Sequence, residues 1–160
     1  MNNNIPLIKR NKFKGDDKEF LLYMVNREYE KCKDKYKIHI GKKSIRYHCN
    51  LSTKTIYVDY MIFSYDEINK DVAIEFLHEI GHLRTNKIGM FRWKEEYLAT
   101  EWAFKRWKQY GLEVPEWMKK EYNTYINRFK SRGYLYQEEL DMCKTTKEKE
   151  AFIERYKPFV

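Results

Sequence analysis

Cysteine is scarce in this chain, and what there is does not pair. Cys32, Cys49 and Cys143 form an odd, widely spaced set, which excludes a disulfide framework or a zinc knuckle built on close cysteine pairs. Long apolar runs are also missing: the longest, such as residues 20–25, are far too short to cross a bilayer. Residues 1–18 are polar and basic and lack the apolar stretch of a secretion signal. Reduced thiols in a cytoplasm, and no membrane partner, are therefore expected. Neither an internal repeat nor a low-complexity tract occurs.

Aromatic residues are plentiful. With 14 Tyr, 9 Phe and 4 Trp in 160 residues, and 42% hydrophobic residues, the chain can build one domain with a largely aromatic core. Its 32 basic residues outnumber 24 acidic ones, for a net charge of +8. Such a balance favours acidic partners, nucleic acid among them. Yet Lys and Arg are spread along the chain and interleaved with Glu, the pattern of a solvated surface. Charge alone does not make this a nucleic-acid-binding protein.

Gly15 closes a loose start, and Asp16 or Asp17 can cap a helix to about Cys32, with Phe20, Leu21, Met24, Val25 and Tyr29 at helical spacing. Residues 36–51 alternate in part, with a turn expected at Gly41-Lys42-Lys43, and Thr55–Asp59 is another β-type run after a turn over residues 50–54. A small, mainly antiparallel sheet over residues 36–64 follows. Helices are expected at about 69–85 and 93–110, with Gly111 as a stop. Another should start near Pro115 and run to Arg132, where Gly133 breaks it; a last one, capped by Thr145 or Thr146, reaches about Tyr156. The fold class is α+β, one domain over residues 1–160, with a core at about 17–110 and a helical extension at about 111–160.

His78-Glu79-Ile80-Gly81-His82 is the motif that carries chemistry. Residues four apart share a helix face, so His78 and His82 can hold one zinc ion through imidazole nitrogens. Glu79 stands about 100° round the helix from His78, suited to act on water rather than to bind the metal. Ala73, Ile74, Phe76, Leu77, Ile80, Gly81 and Leu83 form a continuous apolar arc, and the three polar residues occupy its neighbour. Gly81, lacking a side chain, would let another element pass close to the metal.

A catalytic zinc ion has three protein ligands, and no histidine follows His82. A downstream carboxylate is needed: Glu95, Glu96 or Glu101. Helical phase selects Glu96, which shares its face with Ala99, Thr100, Ala103 and Trp107, small residues that permit close helix packing. Glu95, toward Leu98, Trp102 and Arg106, is the second choice. Glu101, among Lys94, Lys105 and Lys108, reads as a solvated position.

The motif at 78–82, followed by Glu96-Tyr97-Leu98-Ala99-Thr100-Glu101-Trp102-Ala103, resembles the ImmA/IrrE family of gluzincin metallopeptidases. That family pairs a His-Glu-(Ile/Leu)-Gly-His helix with a Glu-x-x-Ala-Asn-x-Phe-Ala segment. Glu96 matches the family's Glu ligand, Ala99 and Ala103 its alanines and Trp102 its aromatic residue; Thr100 stands where Asn is usual. The resemblance covers about residues 70–107. It implies a minimal zincin-type helix–sheet–helix core, zinc, and proteolysis of a regulatory protein, often one of a phage or mobile element.

A donor for the developing oxyanion is left open among His39, His48 and many tyrosines. His48-Cys49 sits in a strand pattern, and the glycine-rich and Glu-Gly-Cys segments of a deformylase are missing. In the C-terminal extension, Trp117, Tyr122, Tyr125, Phe129, Tyr134 and Tyr136 alternate with Lys119, Lys120, Arg128, Lys130 and Arg132. Such interleaving can bind single-stranded nucleic acid, although aromatics at helical spacing more often form core or a cleft wall. Two rivals to a zinc peptidase follow: a catalytically degenerate zincin-fold module binding nucleic acid or a protein, and a regulatory protein that sequesters its partner.

Overall fold

The computed structural model describes residues 5–41, 47–132 and 135–160. The first helix, α1 (Asp17–Cys32), is capped by Asp16, whose carboxylate accepts from the Glu19 N–H while Glu19 reaches back to the Asp16 N–H. Three short strands follow: β1 (Lys37–Gly41), β2 (His48–Asn50) and β3 (Thr55–Asp59). The remainder is helical: α2 (Lys70–Thr85), α3 (Arg92–Gln109), α4 (Glu116–Arg132), α5 (Leu135–Met142) and α6 (Thr146–Arg155). The α+β class follows, and no helix among the described residues is long and apolar enough to cross a membrane.

The sheet is mixed rather than mainly antiparallel. Its order is β1-β3-β2, with β1 parallel to β3 over five pairs and β2 antiparallel to it over three. Burial explains the order. β3 is Thr-Ile-Tyr-Val-Asp and is buried along almost its whole length, so it takes the centre. β1 and β2 carry the more exposed residues and form the edges. Strand β3 thus lies between two strands that follow one another in the chain. The turn expected at Gly41-Lys42-Lys43 and the alternation at Ile45-Arg46 reach outside the described residues, as do the break at Gly133 and Tyr134.

The core lies between the sheet and the helices. Phe20, Met24 and Val25 of α1, Ile56 and Val58 of β3, and Ala73, Ile74, Phe76, Leu77 and Ile80 of α2 are all buried. Each large side chain among them contributes roughly 1.5–3 kcal/mol by leaving water. Together they lock α2 against the sheet with its polar arc turned away. α3 then packs along α2.

Helix α5 has no counterpart in the sequence expectations. It spans only 135–142 with no buried residue, and Tyr136 docks it edge-on to Trp93 at 5.0 Å between ring centroids. A tertiary contact, not periodicity, holds it. Trp93 also receives Tyr156 at 5.0 Å, and Phe159 stacks on Tyr97 at 4.8 Å, so the C-terminal helices close over the outer side of α3.

Candidate metal centre

The N-cap of α2 is Asn69, whose side chain accepts from the Val72 N–H; from there the helix runs unbroken through the motif. His78, Glu79 and His82 are 6%, 7% and 5% exposed. They are polar residues at the rim of a core face, and one donor atom from each lies within 4.8 Å of the others. This group could hold a metal ion.

Glu96 arrives from the facing helix. Its Oε2 lies 3.0 Å from His78 Nε2 and its Oε1 3.7 Å from His82 Nε2, and the residue is 1% exposed. Of the three carboxylates that helical phase separates, Glu96 is the one that meets both imidazoles. Glu95 lines the same cleft but pairs with Arg92 at 3.4 Å. Glu101 faces outward, paired with Lys105 at 3.5 Å and Arg155 at 3.0 Å.

The close approach of α3 depends on Gly81. A Cβ on Gly81 would lie 2.6 Å from the Ala99 carbonyl oxygen and 3.0 Å from its Cα. The small face of α3, with Ala99, Thr100 and Ala103 buried, meets this gap. Thr100, in the position where the ImmA/IrrE pattern has Asn, puts its Oγ1 3.3 Å from His78 Nδ1. Thr100 is thus an outer contact to that ring.

Electrostatics suit a cation. Burial, and then His78, drive the His82 ring down to about 3, so it is neutral at neutral pH, as a ligand must be. Burial pushes the Glu79 carboxyl up to about 7. Burial also acts to raise Glu96, but the hydrogen bond with His78 and the neighbouring His78, His82 and Arg92 outweigh it and hold the carboxyl below its ordinary value. Two enclosed oxygens, Glu79 Oε2 and Glu96 Oε1, have no hydrogen-bond partner. Arg92 Nη2 lies 2.6 Å from Glu96 Oε1 as an ion pair, but without hydrogen-bond alignment.

The site opens into a cleft of about 1410 Å³. One wall carries His48, Cys49 and Leu51 from β2 and the turn after it; the other is α4, presenting Trp117, Tyr122, Tyr125 and Arg128. Tyr122 reaches the site itself, its ring 5.3 Å from that of His78. The aromatic-basic segment therefore splits in two: part walls the cleft, while Tyr136 packs against Trp93. Of the two other histidines, His48 lines the cleft and stacks on Tyr57 at 4.3 Å, whereas His39 lies on the far side of that ring in a separate depression with Lys37 and Thr53.

Arg92 and Asn86 are contacts that the sequence expectations missed. Asn86 lies against His82 Nδ1, and Arg92 against Glu96. Each sits four residues from the side chain it touches, so helical spacing was the available signal. Comparison with protein-family models, curated proteins and solved structures finds no match for this chain.

Proposed function

We propose that the protein is a zinc metallopeptidase in which His78, His82 and Glu96 bind the metal and Glu79 is the general base. The contact of one α3 carboxylate with both α2 imidazoles carries this reading. Donors 2.0–2.2 Å from a tetrahedral zinc ion stand roughly 3.4 Å from one another. The contacts of Glu96 with the two rings, at 3.0 and 3.7 Å, bracket that spacing. The enclosed Oε2 of Glu79 adds support, because a buried acceptor without a donor is costly unless a cation answers it. The donor set of two nitrogens and one oxygen suits zinc.

When bound, zinc supplies a Lewis acid that polarises a carbonyl and makes water more acidic. His78 and His82 orient their Nε2 atoms toward Glu96, which brings the third donor and the negative charge. Glu79 brings a carboxylate oxygen within 4.8 Å of donor atoms on His78 and His82. With its carboxyl near 7 it can take a proton from attacking water on one oxygen and return it to the leaving amine. Helix α4 and strand β2 wall the cleft on either side.

A peptide is the proposed substrate because the cleft, about 1410 Å³, exceeds the roughly 300–1,000 Å³ typical of small-molecule sites. The ImmA/IrrE-like pattern extends the proposal to a regulatory protein of a phage or mobile element. Metal analysis should find about one zinc per chain, and none after His78→Ala. Glu79→Gln should keep the metal and lose cleavage of a protein substrate. Zinc-free wild-type protein would overturn the metal site; cleavage by Glu79→Gln would overturn the role of Glu79.

A further inference from the structure

His82 can serve as a ligand through Nε2 only if its single ring hydrogen sits on Nδ1. What touches Nδ1 therefore decides whether the ring is ready for a metal. Asn86, the C-cap of α2, donates its backbone N–H to His82 O at 3.0 Å, which places its side chain over the ring one turn earlier.

As placed, the Asn86 amide has Nδ2 2.5 Å from His82 Nδ1 and Oδ1 3.0 Å from Thr85 Oγ1. Thr85 Oγ1 also lies 2.9 Å from the carbonyl oxygen of Gly81. Gly81 O, Thr85 Oγ1, the Asn86 amide and His82 Nδ1 thus form one chain of contacts. Its hydrogens can be counted.

The amide has two orientations related by a half-turn, and the surrounding donors and acceptors choose between them. With Oδ1 toward Thr85 and Nδ2 toward the ring, the threonine hydroxyl faces two acceptors with one hydrogen, so one contact sets lone pair against lone pair. His82 Nδ1 must then accept, and the ring hydrogen moves to Nε2, where it blocks the metal position. With the amide turned, Thr85 donates to Gly81 O and accepts from Asn86 Nδ2, while Asn86 Oδ1 accepts from His82 Nδ1–H. Every contact then has one donor and one acceptor, and Nε2 keeps its electron pair.

We infer that Asn86 is a positioning residue: the Gly81–Thr85–Asn86 chain holds the ring hydrogen of His82 on Nδ1 and leaves Nε2 open toward Glu96. The consequence for zinc rests on the metal-site reading above, whereas the hydrogen's position belongs to the metal-free protein. The two can fail separately.

Nitrogen NMR of histidine-labelled, metal-free protein, with His82 assigned from a His82→Gln variant, reads the tautomer directly. The Nδ1–H form is expected in the wild type and in Asn86→Asp, whose side chain can only accept. Asn86→Leu should populate the Nε2–H form and weaken zinc binding by about 10–100-fold in chelator competition. Asn86→Asp should stay within about threefold of the wild type, a rescue that a role in packing alone would not predict. Thr85→Val, which frees the amide to turn, should also mix the two forms. An Nε2–H tautomer in the wild type, or unchanged tautomer and zinc affinity in Asn86→Leu, overturns the inference. An Nδ1–H wild type that binds no zinc supports the hydrogen-bond chain and overturns only the metal-site reading.

Discussion

Gly81 and Ala99 meet backbone to backbone: a Cβ on Gly81 would come within 2.6 Å of the Ala99 carbonyl oxygen. This crossing sets the distance between the two helices that carry His78, His82 and Glu96. Gly81 tolerates the approach because it has no side chain, and Ala99 because its own is a single methyl group.

Gly81→Ala tests that crossing. Overpacking a buried contact costs about 1–3 kcal/mol, and here the obstacle is backbone, which yields less readily than a side chain. Thermal unfolding should register that loss, and zinc titration should show weakened binding as Glu96 moves away from the histidines. Native stability together with native zinc affinity would mean the helices can separate at no cost.

Glu28 tests a different part of the fold. Its Oε1 accepts from Arg27 Nη1 at 3.1 Å, from Arg106 Nε and Nη2 at 3.0 and 2.6 Å, and from the Tyr110 hydroxyl. The residue is 3% exposed. Glu28→Gln leaves these arginines without their buried counter-charge, which should lower stability by about 3 kcal/mol in urea denaturation. Metal stoichiometry should not change, because this cluster ties α1 to the far end of α3. An unchanged denaturation midpoint would show that the arginines find another partner.

Phe159 clasps the C-terminal helices. It stacks on Tyr97, meets Phe104 edge-on at 5.2 Å, and exchanges two backbone hydrogen bonds with the side chain of Asn123. Phe159→Ala should cost about 2 kcal/mol, less than full burial of the ring would predict since it is only partly covered. Because Asn123 adjoins Tyr122, the cleft wall should loosen and KM rise more than kcat falls. A fall in kcat with KM unchanged would contradict that route.

Thiol reactivity provides a pH test. Burial, reinforced by the carboxylates of Glu79 and Glu95, pushes Cys49 up to about 12. At pH 8 its thiolate is therefore roughly one part in ten thousand, and iodoacetamide should modify partly exposed Cys143 first. Labelling of Cys49 should increase about tenfold per pH unit as the thiol nears its titration range. Fast labelling of Cys49 at pH 7 would show that it stands in a different environment.

Much of the candidate site was legible because it is helical. A period of 3.6 residues places His78 beside His82, sets Glu79 apart, and separates Glu96 from Glu95 and Glu101 by phase alone. Those relations depend on the helix and not on what surrounds it. The sheet was less legible: alternation marks β1, β2 and β3 as strands, but a two-residue period says nothing of which strands are neighbours. Helix α5 was invisible for a related reason, since eight residues with one docking ring leave little periodic signal.

By itself the sequence determined the pair of histidines, the intervening base candidate and the phase that sets Glu96 apart from Glu95 and Glu101, all consequences of local helix geometry. Tertiary structure alone decided that β3 lies between β1 and β2, that α4 walls the cleft with Tyr122 against His78, and that Gly81 of α2 crosses Ala99 of α3. These are contacts between surfaces, selected by burial and charge across elements far apart in the chain, and no local period encodes them.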